Sequence, residues 1–178
     1  MSMTPRSALA VPAIVALTCF AATSPAAADT GPVVRSSGDL ADLQPGTAGP
    51  FDSADASVQI VSSGDGASHT VLRVRGVSGA DGTTFGAHLH VGPCVAGNGA
   101  AALGHYNAQA MAGDPTPEIS EDTEVWLDLT IDDGACTSTA SVPFQPLSGE
   151  RSVVIHALGT DPHTGFAGAR LACLPVVW

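Results

Sequence analysis

The sequence contains no lysine, one tyrosine and two tryptophans among its 178 residues. Its 17 acidic side chains outnumber 6 arginines, so the formal net charge is −11. A chain this poor in positive charge lacks the groups that neutralise nucleic-acid phosphates, and anionic membrane surfaces repel it. We therefore expect no nucleic-acid partner and no attraction to anionic lipid.

Long hydrophobic runs are missing beyond the N-terminus. The apolar run at residues 8–22 is shorter than the ~20 residues that a bilayer-spanning helix needs. Arg6 precedes this run, and three alanines at 26–28 follow it. This arrangement is typical of a cleavable secretory signal peptide, here residues 1–28. We expect a secreted or cell-envelope protein, outside the cytoplasm, without a membrane span.

Cysteine is scarce as well. Of the four cysteines, Cys19 falls within the expected signal peptide, which leaves Cys94, Cys136 and Cys173. Three cysteines in an exported protein predict one disulfide and one remaining thiol. The sequence alone does not fix the pairing. No cysteine pair has the CxxC spacing of a zinc site, so we do not interpret them as metal ligands.

Short runs of β-branched residues, separated by Gly, Asp and Pro, follow one another from residue 57 to the C-terminus. Residues 70–76 and 124–130 alternate apolar and polar side chains, the pattern of half-buried strands. No segment has the spacing of a long helix. The pattern predicts seven or eight strands in an all-β sandwich or barrel. Residues 29–50 are rich in Gly, Pro, Ser and Asp, and we predict a flexible N-terminal arm there.

Four histidines suggest a metal site. His88 and His90 lie one residue apart in GAHLHVGPC, so they share one face of a strand. His105 follows in an irregular segment, and His156 ends a strand on its apolar face. Alone, His156 would more often be a core residue. Four such histidines in one small β domain favour a metal, and four imidazole nitrogens in a flattened arrangement favour Cu(II).

Four stretches resemble the copper–zinc superoxide dismutase family, in the family's order. They are FGAHLH (85–90), GHYN (104–107), RSVVIH (151–156) and GARLAC (168–173). The resemblance implies a Greek-key β-sandwich or flattened barrel of about eight strands, in a domain at residues 51–178. It also implies that the protein converts superoxide to oxygen and hydrogen peroxide with one copper per chain.

The same resemblance implies roles for individual residues. By it, the copper ligands are His88, His90, His105 and His156. His105 would also hold and deliver a proton during the reaction. Arg170 would receive the superoxide anion, although a lone arginine is by default a surface salt-bridge residue. Cys94 and Cys173 would form a disulfide between the site loop and the last strand.

The chain departs from the family at the zinc site. That site needs two further histidines, and none lies between His105 and Glu124. We therefore expect copper without zinc, as in the zinc-free, copper-only members that the chain resembles. The other ring nitrogen of His105 then needs a partner. Glu118, Glu121 and Glu124 are candidates, with Glu124 preferred because it begins a strand; the alternative for each is an exposed acidic loop.

Two other functions remain open. One is a copper-binding or carrier protein that uses the same scaffold without fast turnover; Arg170 argues against it, because a carrier needs no guide for superoxide. The other is a non-catalytic structural β module, which four histidines argue against. We expect a monomer or weak dimer.

Overall fold

The computed structural model describes residues 30–178, which form two antiparallel sheets and a short two-stranded ladder. The first sheet contains, in order, β1 (Thr30–Asp39), β3 (Asp55–Ser63), β4 (Ser68–Arg75) and β8 (Ala135–Val142). The second contains β2 (Ala41–Asp42), β10 (Arg170–Val177), β9 (Glu150–His156) and β6 (Ala87–His90). The ladder pairs β5 (Thr84–Phe85) with β7 (Leu129–Thr130). The helical elements are α1 (Ala108–Met111) and a 3-10 turn (Gly99–Ala102). The predicted all-β sandwich is confirmed.

Strict alternation along the strands builds the core between the sheets. Buried and half-exposed residues alternate through all of β3, and in β4 Leu72 and Val74 are buried while Arg73 and Arg75 point outward. This period of two is the geometry of a strand with one face buried. The second sheet contributes Leu89, Ile155 and Leu174 to the same apolar cluster. The pattern read from the sequence at residues 70–76 therefore corresponds to a real strand.

The N-terminal segment differs from the expected flexible arm at 29–50. β1 pairs with β3 from Val33 to Asp39, and β2 pairs with β10. Leu40 and Leu43 are buried, so side-chain burial and a hydrogen-bonded ladder hold the segment despite its Gly- and Ser-rich composition. The expected signal peptide, residues 1–28, lies outside the described residues. Within the part of the chain that the structure describes, none of the helices has the length and apolarity to cross a membrane.

The edge strand of the second sheet, β6, positions the histidines. β6 pairs with β9, and isolated bridges beyond β6 join His88 to Trp126 and His90 to His105. A third bridge joins Asn107 to Glu124. On the other side of β9, His156 is in register with Arg170 of β10. Leu89, Val153 and Ile155 belong to the core between the sheets. His88, His90 and His156 alternate with these residues along β6 and β9, so they meet on the opposite face of the second sheet.

Candidate metal centre

The four predicted ligands form a single group. His88, His90, His105 and His156 each offer a ring nitrogen, and these nitrogens all lie within 4.8 Å of one another. Three of the histidines are buried, and the His105 side chain keeps 18% of its surface exposed. The closest ring centroids, those of His88 and His105, are 4.0 Å apart. This group could hold a metal ion.

Each ring is anchored through one nitrogen to a partner outside the group. The partners are the carbonyl oxygens of Leu103 (His90) and Gly168 (His156), a carboxylate oxygen of Glu124 (His105) and the hydroxyl of Thr160 (His88). Carbonyl and carboxylate oxygens only accept, so three of the rings donate through Nδ1 and keep a lone pair on Nε2. This is the arrangement of metal-binding histidines, whose second N–H is held by an outer partner.

Two observations show that the inward nitrogens suit a cation. Nε2 of His90 and Nε2 of His156 lie 3.3 Å apart, a contact that two lone pairs make favourably only with a shared proton or cation. Nδ1 of His88 is buried without a hydrogen-bond partner in residues 30–178. An unsatisfied buried polar atom costs free energy, and a bound cation would remove that cost.

The rings are also in the protonation state that a metal requires. Burial lowers the pKa of His88 and of His90 to about 2, with a further contribution from neighbouring His105. Burial likewise lowers the pKa of His156 to about 4. These rings are therefore neutral near pH 7, and neutral imidazole is the form that binds metals.

Glu124 supports His105. Its Oε2 lies 2.8 Å from His105 Nδ1 and accepts a second hydrogen bond, 2.9 Å long, from Trp126 Nε1. Burial raises the pKa of Glu124, but the hydrogen bonds from His105, Trp126 and Asn107 outweigh burial and hold it below its usual range. The other two candidate carboxylates, Glu118 and Glu121, are exposed.

Arg170 lies at the start of β10, beside the histidines. Its guanidinium donates to the carbonyl oxygens of Gly99 and Leu103, and the Leu103 carbonyl also accepts from His90 Nδ1. No carboxylate within residues 30–178 forms a salt bridge with it. Arg170 is therefore tied to the group through one shared oxygen and is not part of a surface ion pair.

Sequence reasoning did not identify Leu103. Its φ of 59° lies in the left-handed region, where a leucine is strained. This backbone conformation accompanies a carbonyl that serves both His90 and Arg170. A leucine gives no local signal of such a conformation, whereas glycine or asparagine would have. Thr160 was missed because its contact with His88 depends on the approach of a distant loop. Trp126 donates to Glu124, two residues away, and this spacing of two side chains on one strand face is a local signal that could have identified it.

A disulfide connects two of the segments that carry site residues. Cys94 and Cys173 are bonded, with their Cα atoms 5.7 Å apart, and Cys136 is a free, partly buried thiol. The bond joins the segment after β6 to β10, the strand that carries Arg170. A disulfide of this kind fits an extracytoplasmic protein.

Removing the disulfide should lower stability strongly. The bond joins residues 79 positions apart. The disulfide restricts the conformations of the unfolded chain, so its removal favours the unfolded state. We expect the free energy of unfolding of the Cys94→Ser/Cys173→Ser double variant to fall by about 4.5 kcal/mol. Urea denaturation of the metal-free proteins would measure it, with Cys136→Ser as the matched control. A double variant less than about 1 kcal/mol below wild type would contradict the expectation.

Comparisons with known proteins support the fold. No protein-family model matches the chain. No curated protein matches it either. A solved structure described as that of the clock protein EA4 is similar, with a TM-score of 0.56 and 16% sequence identity, covering 82% of this chain and 94% of the other. At this identity the likeness shows a shared β-rich fold and nothing about activity.

Proposed function

We propose that this protein is a copper-dependent superoxide dismutase of the zinc-free type that works outside the cytoplasm. One observation carries the proposal. Ring nitrogens of four histidines lie within 4.8 Å of one another, and the Arg170 guanidinium donates to the same carbonyl oxygen as His90. A cation site and an anion-attracting group thus lie side by side.

The donor set suits copper. All four donors are imidazole nitrogens, which suit copper and zinc among the common metals, and a four-nitrogen set favours Cu(II) when flattened. The buried, unpartnered Nδ1 of His88 supports a metal at this point. His105 Nδ1 is hydrogen-bonded to Glu124, so it is not available to bind a second metal. This contact supports one copper and no zinc.

The bound copper would supply the one-electron redox couple that dismutation of superoxide requires. Arg170 would bind and orient the anion. A guanidinium has five N–H donors, so donation to Gly99 and Leu103 leaves three for a small anion. Because the whole protein carries a charge of −11, the attraction has to be local, and a fixed guanidinium at the site provides it.

His105 is suited to carry a proton. Glu124 accepts from its Nδ1–H, so the lone pair of the ring lies on Nε2, the nitrogen that can hold a proton or a metal. His105 is also the only one of the four histidines that is not buried, so solvent can reach it. We assign it the role of holding one proton at Nε2 and passing it to the peroxide product, whose second proton comes from solvent.

Pulse radiolysis of the disulfide-bonded protein, loaded with copper alone, tests this function. We expect catalytic decay of superoxide in samples that contain one copper and no zinc per chain. Tight copper binding without turnover would overturn the proposal in favour of a copper carrier. Failure to bind copper would overturn it in favour of a non-catalytic β module.

Arg170→Ala should slow superoxide decay about 10-fold, the lower end of the 10- to 1,000-fold gain in association rate that charge-lined clefts provide. Copper affinity should stay close to that of wild type. The matched control is Arg75→Ala, which removes an exposed arginine that pairs with Asp55 on the first sheet. An unchanged rate in Arg170→Ala at equal copper content would count against the enzyme and favour the carrier.

A further inference from the structure

The geometry points to Asp128, acting through Thr160, as the positioning residue that fixes the tautomer of His88. The inference rests on the proposed function, because it treats His88 as a metal ligand through Nδ1. His88 is the one histidine of the group whose outer partner is a hydroxyl, Thr160 Oγ1, at 2.7 Å from Nε2. A hydroxyl both donates and accepts, so this contact alone does not select a tautomer.

Asp128 makes the selection. Both of its carboxylate oxygens contact Thr160: Oδ2 accepts from the Thr160 backbone N–H at 2.9 Å, and Oδ1 accepts from the Thr160 hydroxyl. An ionised carboxylate offers no donor, so the hydroxyl hydrogen points to Asp128. The Thr160 oxygen then presents a lone pair to His88 and must accept from Nε2–H. The lone pair of His88 is left on Nδ1.

The environment of the other ring nitrogen, His88 Nδ1, also supports donation from Nε2–H to Thr160. Nδ1 of His88 is buried, and no donor or acceptor in the described part of the chain reaches it. A protonated Nδ1 would leave a buried donor unsatisfied, whereas a lone pair there can bind a metal. His90 and His156 need no comparable device, because their outer partners are carbonyls that can only accept.

Gly86 allows the loop of Thr160 to reach the strand of His88. A Cβ at residue 86 would lie 2.7 Å from Ala167 Cβ and 2.9 Å from Thr160 Oγ1, too close for any side chain. The backbone N–H of Gly86 donates to Leu158 at 2.6 Å, which holds the loop in place. Asp128 comes from a third segment, just before β7. Three separate parts of the chain therefore converge on one hydrogen-bond relay.

Asp128→Asn should reverse the direction of the hydrogen bond between Thr160 and His88. The amide oxygen can still accept from the Thr160 backbone N–H, but the amide nitrogen would now donate to the Thr160 hydroxyl. That hydroxyl would then donate to His88 Nε2, and the proton of the ring would move to Nδ1. The nitrogen that faces the group would lose its lone pair. Thr160→Ser keeps the hydroxyl and should behave as wild type, whereas Thr160→Val removes it.

Long-range 1H–15N NMR of the metal-free, 15N-labelled protein reads the tautomer directly, with His88→Gln to assign the signal. We expect Nε2–H in wild type, in Thr160→Ser and in the charge control Asp132→Asn. We expect Nδ1–H in Asp128→Asn and loss of a single tautomer in Thr160→Val. An Nδ1–H tautomer in wild type, or an unchanged tautomer in Asp128→Asn, would overturn the inference.

Copper affinity gives a second readout that does not depend on turnover. Loss of an outer partner of a ligating histidine typically costs 10- to 100-fold in metal affinity, and we expect this loss for Asp128→Asn and Thr160→Val. Thr160→Ser and Asp132→Asn should retain the wild-type affinity. If Asp128→Asn binds copper as tightly as wild type, the inference is wrong. If wild type binds copper without turnover, only the proposed dismutase activity fails, and both readouts still decide the role of Asp128.

Discussion

Replacing His156 with alanine is expected to abolish copper-dependent superoxide decay. The substitution removes one of the four converging nitrogens and leaves a gap beside Arg170, the cross-strand neighbour of His156. Loss of an outer partner alone costs 10- to 100-fold in affinity or activity, so loss of a ligand should exceed about 100-fold. His90→Ala should give the same result, because Nε2 of His90 is the nitrogen 3.3 Å from that of His156.

The measurement is pulse radiolysis at equal protein concentration, with copper content determined on each sample. His69→Ala is the matched control. His69 is exposed on β4 and contacts Ser141 of β8, and both strands belong to the first sheet. His88, His90 and His156 lie on the second sheet. His90→Gln adds a variant that keeps a polar side chain in the buried position, and circular dichroism verifies its fold. Wild-type decay in His156→Ala at full copper content would refute the copper assignment.

The strands could be predicted where apolar and polar residues alternate within a short stretch of sequence. In β4, Leu72 and Val74 alternate with Arg73 and Arg75, and that period of two marks a strand with one buried face. The N-terminal segment could not be predicted in this way. Its Gly- and Ser-rich composition favours an arm, whereas β1 is held by a ladder to β3, and strand pairing between distant segments leaves no local pattern.

The ligands of the candidate site were readable for a similar reason, because His88 and His90 carry their chemistry and their spacing in one short stretch. Their outer partners were mostly not readable. The position of the Leu103 carbonyl requires a left-handed backbone, and a leucine in the sequence does not indicate such a conformation. The contact of Thr160 with His88 requires a loop that packs against Gly86. Glu124 was a candidate because it begins a strand-like segment. Its contact with His105 also depends on the bridge between Asn107 and Glu124, which brings the two segments together and is not visible in the sequence.

The metal-free protein is expected to lose stability steeply as the pH falls below 6.5. In the unfolded chain a histidine titrates near 6.5, whereas burial lowers the pKa of His88 and His90 to about 2 and that of His156 to about 4. Between these values the unfolded state binds protons that the folded state does not, so stability decreases with falling pH. Each histidine contributes about 1.4 kcal/mol per pH unit within its window.

Three such groups together approach about 4 kcal/mol per pH unit, enough to unfold a domain of ordinary stability within two or three units. Urea denaturation of the metal-free protein from pH 7 to pH 5 would measure the slope before most carboxylates titrate. His88→Gln should show a slope smaller by about one proton, whatever its absolute stability. Copper should shift the loss to lower pH, because metal and protons compete for the same nitrogens. A stability that stays constant from pH 7 to pH 5 would show that the buried rings take up protons in the folded state.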